Sequence, residues 1–337
     1  MPDSANSNSI RPLHKDLEVM TEVRHFLNVW NSDNETIEQQ TSGSTGKPKT
    51  IKIPKRKMKN SAQMTGDFFK LKNCESALLC MSPTYIGGKM MIVRSLLFNL
   101  TLYVTKVTSN PLQEIHFPID FVAMVPLQVE ETLQNNPEKL NLITYLIIGG
   151  APVSDELIEH LKEYSCQAYS TFGMTETISH IALRNLKSKN EPYRTIGNTE
   201  FSTVDDCLVI NSEELQLQKL KTTDVVELLD KNSFYWLGRA DFTINSGGVK
   251  IRPEEVERKI KSKCGITDFI IASLPDQKLG ERVVFIGEQS IQNTTLKQHI
   301  ESVLDKYEQP KEYFFVSSLI QTQAGKIDRN QTIELIK

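Results

Sequence analysis

Short apolar runs alternate along the chain with stretches in which apolar positions recur every three or four residues. ALLCMS (77–82), TLYVTKV (101–107), DFVAMVP (120–126) and TYLIIGG (144–150) have the length and density of buried strands. Between and after them, GGKMMIVRSLLFN (87–99), PLQVEETLQNN (126–136) and SDELIEHLKEY (154–164) have helical spacing. Ser154 is placed to cap the last of these, ahead of an acidic first turn. This strand–helix alternation predicts an α/β fold, with a mainly parallel sheet covered by helices. In such sheets ligands bind beyond the carboxyl ends of the strands.

From about Asp205 the pattern shortens. CLVI, LQLQ, VVELLD and SFYWLG read as closely spaced strands. After Gly238-Arg239-Ala240-Asp241 come helix PEEVERKIKSK (253–263), strands DFIIASL and RVVFIGE, helix TTLKQHIESVLDKY (294–307) and strand EYFFVS. This predicts a large domain over 1–240 and a small α/β domain over 241–337. A chain of 337 residues is also longer than one core usually supports.

Charge and cysteine usage narrow the function. Lys plus Arg number 39 and Asp plus Glu 42, for a net charge of −3, so no basic field invites nucleic acid. The longest apolar runs have five residues, far short of a membrane span. The N-terminal stretch has no apolar segment resembling a secretory signal. Five cysteines without a CxxC pair suit a reduced cytoplasm. The six scattered histidines form no zinc motif. Homo-oligomerisation is left open.

Candidate chemistry begins at Thr41-Ser42-Gly43-Ser44-Thr45-Gly46-Lys47-Pro48-Lys49. Its glycines, hydroxyls, backbone N–H groups and lysines suit phosphate oxygens. A Walker loop is excluded, because that pattern needs Gly at 41 and Ser or Thr at 48. Tyr169-Ser170-Thr171-Phe172-Gly173-Met174-Thr175-Glu176 ends in a hydroxyl beside a carboxylate. Read alone, it is equally a strand-to-helix turn with a capping Thr. Gly149-Gly150-Ala151-Pro152 ends a strand, and Thr222-Thr223-Asp224 reads as a strand-entry loop. Ser246-Gly247-Gly248 follows the proposed boundary, and Gly325-Lys326 lies near the end.

In this order, over residues 41–329, these motifs resemble those of the adenylate-forming superfamily: acyl-CoA synthetases, luciferases and peptide-synthetase adenylation domains. The resemblance implies an AMP-forming ligase that uses ATP, Mg²⁺ and CoA on a small carboxylic acid. Residues Thr41 to Lys47 then hold phosphates, Thr175 contacts the α-phosphate and Glu176 holds Mg²⁺. Gly149, Gly150, Ala151, Phe172 and Gly173 line the adenine pocket. Asp224 binds the ribose and Arg239 the nucleotide. Asp241 is the interdomain hinge, Gly247 and Gly248 line the CoA path, and Lys326 is the adenylation lysine. Thr223 stands where the family has Gly. Only 40 residues precede the phosphate loop, so the resemblance implies a compact form with a shortened N-terminus.

The acyl segment, Ser82 to Arg94, has no acidic residue to hold a substrate amino group. It does carry Lys89 and Arg94 on an otherwise apolar helix. Such cations either snorkel to solvent or receive a second substrate carboxylate. Together with Thr-Glu-Thr-Ile-Ser-His at 175–180, this segment resembles the o-succinylbenzoate–CoA ligases of menaquinone synthesis. That resemblance makes Tyr85, Gly88, Lys89, Arg94, Ser179 and His180 acyl-site candidates. Other acid–CoA ligases, a carrier-protein acceptor and a nucleotide-binding module without turnover are the alternatives.

Overall fold

The computed structural model describes residues 9–14, 18–40, 50–321 and 327–337. β1 (Ile10–Pro12) and α1 (Val19–Asn31) lead to the antiparallel pair β2 (Thr36–Gln40) and β3 (Thr50–Pro54), then to α2 (Lys55–Phe69). The predicted alternation follows as β4 (Ser76–Leu79), α3 (Ile86–Phe98), β5 (Thr101–Val104), β6 (Ile119–Met124), α4 (Pro126–Asn135), β7 (Ile143–Ile148), α5 (Asp155–Leu161) and β8 (Gln167–Gly173). Ser154 caps α5, its hydroxyl accepting from the Leu157 amide at 3.1 Å.

Six more strands extend the same sheet: β9 (His180–Asn185), β10 (Tyr193–Thr195), β11 (Thr199–Val204), β12 (Cys207–Ser212), β13 (Leu217–Asp230) and β14 (Ser233–Arg239). Among the described residues this sheet has twelve strands, in the order β1-β5-β4-β6-β7-β8-β9-β10-β14-β13-β12-β11. The six from β1 to β8 run parallel, as the alternation predicts. From β9 onward the neighbours are antiparallel. The turn after β8 is too short for the crossover that a parallel neighbour needs.

The central parallel strands β4, β6 and β7 are buried on both faces, which is why they read as continuous apolar runs. Phe121 and Ala123 of β6 point into one core with Met58 and Phe69 of α2 and Met90 and Val93 of α3. Val122 and Met124 point into the other, with Val129 of α4 and Leu157 and Leu161 of α5.

The chain leaves the large sheet through a 3₁₀ turn, Ala240–Phe242. It then builds β15 (Ile244–Ser246), β16 (Val249–Ile251), α6 (Pro253–Cys264), β17 (Phe269–Asp276), β18 (Gly280–Glu288), α7 (Leu296–Val303), β19 (Glu312–Val316) and α8 (Arg329–Glu334). Its five strands form a separate sheet. Phe269, Ile271, Val283 and Phe285 face the α6–α7 side, while Ile270, Val284 and Ile286 face α8. Among the described residues no helix is long and apolar enough to cross a membrane. All five cysteines are free thiols.

Four readings of the pattern change. The second half of LQLQ and all of VVELLD are not separate strands but parts of the fourteen-residue β13, whose register is irregular; Leu215 and Gln216 lie in the turn before it. Asp224 therefore lies within a strand rather than in an entry loop. Helix 294–307 shortens to Leu296–Val303, because Lys259 of α6 draws Glu308 (2.7 Å) and Asp305 (3.4 Å) into a turn. α1 and α2 stand where no element was assigned. The buried face of α2 includes Ser61, Thr65 and Gly66, which break its apolar stripe.

A buried ion pair ties the small sheet to its helices. Arg329 donates to Glu257 Oε2 (2.6 Å) and to the Ile271 carbonyl (2.9 Å), while Glu257 Oε1 accepts from the Ile271 amide (2.7 Å). The guanidinium also lies 5.2 Å from the ring centroid of Phe242, at the crossing between sheets. Arg329→Met leaves Glu257 buried and unpaired and is expected to lower stability by about 3 kcal/mol. Adding Glu257→Gln should recover much of that in denaturant titrations. A double variant as unstable as the sum of both single variants would contradict the pairing.

Candidate active site

β4 and β6 are neighbours, yet the chain between them runs out to β5 on the far side of β4. The direction of winding therefore reverses between β4 and β6, which opens a crevice at their carboxyl ends. Buried Gln128 of α4 spans that crevice. It donates to the carbonyls of Cys80 (3.0 Å) and Thr108 (2.9 Å) and accepts from the Val125 amide (3.2 Å). Next along the sheet, Gly149, Gly150 and Ala151 leave the end of β7, with the Gly149 amide donating to the Met124 carbonyl at 3.0 Å. Phe172, at the end of β8, packs edge-on against Phe234 (5.0 Å between centroids) and near Tyr193 (5.9 Å).

The stretch after Phe172 opens no helix. It is a tight connection from β8 to β9, and Gly173 makes it fit. A Cβ there would come within 2.2 Å of the Ser179 carbonyl oxygen and 2.6 Å of His180 Cα. Thr177 is fully buried at the centre of the turn. Its hydroxyl accepts from the Met174 amide (2.9 Å) and lies 2.7 Å from the Ser179 carbonyl. The Ser179 amide donates to the Thr177 carbonyl at 2.8 Å across Ile178, whose φ is +69°. This is the strained kind of γ-turn, on a β-branched residue that rarely adopts it. Folding the turn inward at Thr177 leaves Glu176 exposed at its outer edge, beside half-buried Thr175. One exposed carboxylate suits Mg²⁺, which keeps most of its waters and phosphate ligands. Among the described residues no cluster of three or more His, Cys, Asp or Glu forms a cage.

Beneath this turn lies Arg94. It is 1% exposed, and among the described residues no carboxylate pairs with it. Its Nη2 donates to Ser179 Oγ at 2.8 Å, and its Nε is buried without a partner. Burial pulls the guanidinium down to about 9, which still leaves it charged at neutral pH. His180, 5% exposed, lies against the same group: Nδ1 is 3.4 Å from Ser179 Oγ and Nε2 is 3.0 Å from Thr65 Oγ1. Burial first, and then the charge of Arg94, hold this imidazole well below the ordinary histidine range.

The other acyl candidates have different surroundings. The Lys89 ammonium donates to Gln39 Oε1 (2.6 Å) and to the carbonyls of Glu38 (3.2 Å) and Thr84 (3.4 Å). It thus fastens α3 to the end of β2. Gly88 lies against the Ser82 carbonyl, and the Tyr85 ring is exposed at the start of α3.

On the antiparallel side of the sheet, Asp224 and Arg239 are register partners on β13 and β14. Asp224 Oδ1 accepts from the Trp236 indole at 2.8 Å. Arg239 Nη2 donates at 2.6 Å both to Thr223 Oγ1 and to Asp241 Oδ2. Thr223, a departure from the family pattern, thereby gains a function of its own in holding Arg239. Gly247 and Gly248 form the two-residue link from β15 to β16, with φ of +59° and +84°. Tight hairpins of this form need a positive φ at both positions, which glycine supplies at no steric cost.

Residues Thr41, Ser42, Gly43, Ser44, Thr45, Gly46 and Lys47, and the adenylation candidate Lys326, lie outside the described residues. Their brackets are described: Gln40 pairs with Thr50, and Gln321 with Ile327. Two residues at the site carry no motif signal, Thr65 and Trp236, because they act through contacts distant in sequence, with His180 and Asp224. Thr177, inside the quoted Thr-Glu-Thr-Ile-Ser-His, acts within its own turn.

His180 carries a pH signature. The folded chain keeps it neutral, whereas the unfolded chain protonates it near 6.5. Below that pH the unfolded state binds the extra proton, so stability falls as pH drops, by about 1.4 kcal/mol per unit. His180→Gln should lack this component. Denaturant titrations at pH 7 and pH 5.5 should therefore show the gap between wild type and variant narrowing at the lower pH. An unchanged gap would mean that His180 is not held neutral.

Comparison with known proteins bears on the family and the fold. The AMP-binding enzyme family matches residues 27–222, more than half of the chain. The 2-succinylbenzoate–CoA ligase of Staphylococcus epidermidis is 27% identical, over 86% of this chain and 68% of that one. A crystal structure from Dyadobacter fermentans, described as an acyl-CoA synthetase (AMP-forming)/AMP-acid ligase II-like protein, is 33% identical. It covers 95% of both chains with a TM-score of 0.62. The o-succinylbenzoate coenzyme A synthetase of Bacillus subtilis, in complex with ATP and magnesium ion, is 20% identical, with a TM-score of 0.74 over 88% of this chain and 69% of that one. At that identity the likeness is one of fold. The chain belongs to the AMP-binding enzyme family.

Proposed function

We propose that this chain is an ATP- and CoA-dependent acid–thiol ligase and that its acid is 2-succinylbenzoate. Family membership supports the adenylation chemistry. The choice of acid rests on Arg94, a buried guanidinium without a carboxylate, whose free Nε and Ser179-bound Nη2 suit a second carboxylate on the substrate. A dicarboxylate with an aromatic ring suits such a basic group set in an apolar core. The ligases for this acid among the relatives support the same choice.

In the first half-reaction a carboxylate oxygen of the acid attacks the α-phosphorus of ATP. The bond to the bridging oxygen breaks, pyrophosphate leaves and acyl-AMP remains. Charge gathers on the phosphate oxygens, and Lys326, the Thr175 hydroxyl and the loop from Thr41 to Lys47 are the groups assigned to receive it. Mg²⁺, held through Glu176, would screen the phosphates. Asp224 and Arg239 are assigned to the ribose and phosphate, and Gly149, Gly150, Ala151, Phe172 and Gly173 to the adenine.

In the second half-reaction the thiol sulfur of CoA attacks the acyl carbonyl. AMP leaves, and the thiol proton passes to solvent. Residues 1–240 and 241–337 act as two domains here. The smaller turns about Asp241, withdraws Lys326 and brings Gly247 and Gly248 to the CoA path.

AMP release with CoA, ATP and a panel of acids tests the substrate. The panel contains 2-succinylbenzoate and the two monocarboxylates made by deleting either carboxyl group. Only the dicarboxylate should turn over efficiently; an equal rate with a monocarboxylate would sink the assignment. Lys326→Ala should abolish carboxylate-dependent pyrophosphate–ATP exchange, by roughly a hundredfold or more. It should largely spare thioester formation from supplied acyl-AMP, and equal loss of both would refute its role. Asp241→Pro should do the reverse, slowing thioester formation more than adenylation.

A further inference from the structure

Thr65, in the middle of α2, has one hydroxyl hydrogen and two neighbours that could take it. The Ser61 carbonyl lies 3.1 Å away, one turn back along the helix, and His180 Nε2 lies 3.0 Å away. The charge nearby decides between them. If the Thr65 hydrogen goes to His180 Nε2, the imidazole must carry its own proton on Nδ1. That would aim a positive hydrogen at Ser179 Oγ, which already accepts from the Arg94 guanidinium. If it goes to the Ser61 carbonyl, Thr65 Oγ1 accepts from Nε2–H, and Nδ1 turns a lone pair toward the cation. With Arg94 buried and unpaired by any carboxylate, the second arrangement is electrostatically favoured.

We propose that Thr65 is a positioning residue for the acid site. Its hydroxyl locks His180 as the neutral Nε2–H tautomer, and His180 in turn leaves Ser179 Oγ free to hold Arg94 for the substrate carboxylate. This rests on the reading of Arg94 as receptor of the acid's second carboxylate. The chain of contacts is complete: Arg94 to Ser179, Ser179 to His180, His180 to Thr65, and Thr65 to the Ser61 carbonyl. It joins α3, the start of β9 and α2. The γ-turn at Ile178 is the second observation that points to the same place. A β-branched residue held at φ +69° immediately before Ser179 is strain that persists only where the surroundings over-determine it, as they do at ligand sites. Without Thr65 the imidazole is free to take the other tautomer, and Nδ1–H then brings a second positive hydrogen to Ser179 Oγ beside the Arg94 cation.

The test uses the full chain in pyrophosphate–ATP exchange, together with ¹⁵N spectra of the histidine ring. Thr65→Val, of nearly the same shape, should raise KM for 2-succinylbenzoate about tenfold, the scale of one lost buried hydrogen bond. KM for ATP should be unchanged, and so should the weak rates with the two monocarboxylates. Thr65→Ser, which keeps the hydroxyl, should stay within about twofold of wild type. The wild-type spectrum at pH 7 should show His180 as the Nε2–H tautomer. An Nδ1–H tautomer or an imidazolium there would overturn the proposal. So would a Thr65→Ser variant as impaired as Thr65→Val, or a Thr65→Val variant impaired equally with every acid. A wild type without preference for the dicarboxylate would instead overturn the reading of Arg94, and the spectrum would still decide the tautomer.

Discussion

A guanidinium that no carboxylate among the described residues partners, buried in the apolar core of the larger sheet, is the constraint around which the proposed acid site is organised. Removing a charged group from water costs several kcal/mol unless partners replace the lost hydration. Here the one oxygen partner is Ser179 Oγ, and the residues behind it come from two further elements. Ser179 reaches Arg94 because the turn after β8 is forced inward, and the turn is forced inward because Gly173 admits the backbone of Ser179 and His180. His180 stays neutral beside the cation, with Thr65 of α2 on its far side. Thr65, one of the residues that interrupt the apolar stripe of α2, is therefore placed where the sheet offers His180 a hydrogen-bonding group.

The same turn separates two kinds of chemistry. Thr177 folds its hydroxyl inward and is wholly buried, whereas Glu176, the neighbouring residue, is exposed. The carboxylate proposed for a metal–phosphate complex and a hydroxyl that braces the turn thus come from adjacent residues. Alternation of the backbone, rather than a long loop, sets them apart. On the antiparallel side of the sheet the logic is different. Arg239 is held by Thr223 and Asp241, so the residue assigned to the nucleotide and the one assigned to the hinge share a hydrogen bond. Rotation about Asp241 would therefore change the surroundings of Arg239 directly.

The central strands of the parallel half, β4, β6 and β7, were legible because they are buried on both faces, and α4 and α5 because their buried positions recur along one face. β4, β6 and β7, together with α3, α4 and α5, begin or end within a few residues of their apolar runs. The antiparallel half was less legible. β13 looked like two strands because its pairing slips, and Asp224 looked like a loop residue for the same reason. α7 ends early because an ion pair from α6 captures the segment after it, and no local pattern contains that information.

Residue type and order along the chain determined the chemistry: a hydroxyl beside a carboxylate at 175–176, a glycine-rich loop at 41–47, a lysine at 326, and a cation on an apolar helix. These choices are local, since residue type fixes which groups the chain offers before any surroundings shift them. Only the tertiary structure separated the two cations of α3. It gave Lys89 three oxygen acceptors, two on β2 and one at Thr84, and left Arg94 buried with no carboxylate partner among the described residues. That distinction depends on which strand and which turn approach each side of the helix. Burial and pairing are properties of the assembled chain, so the desolvation that gives Arg94 its meaning exists only once β9 and α2 have packed around it.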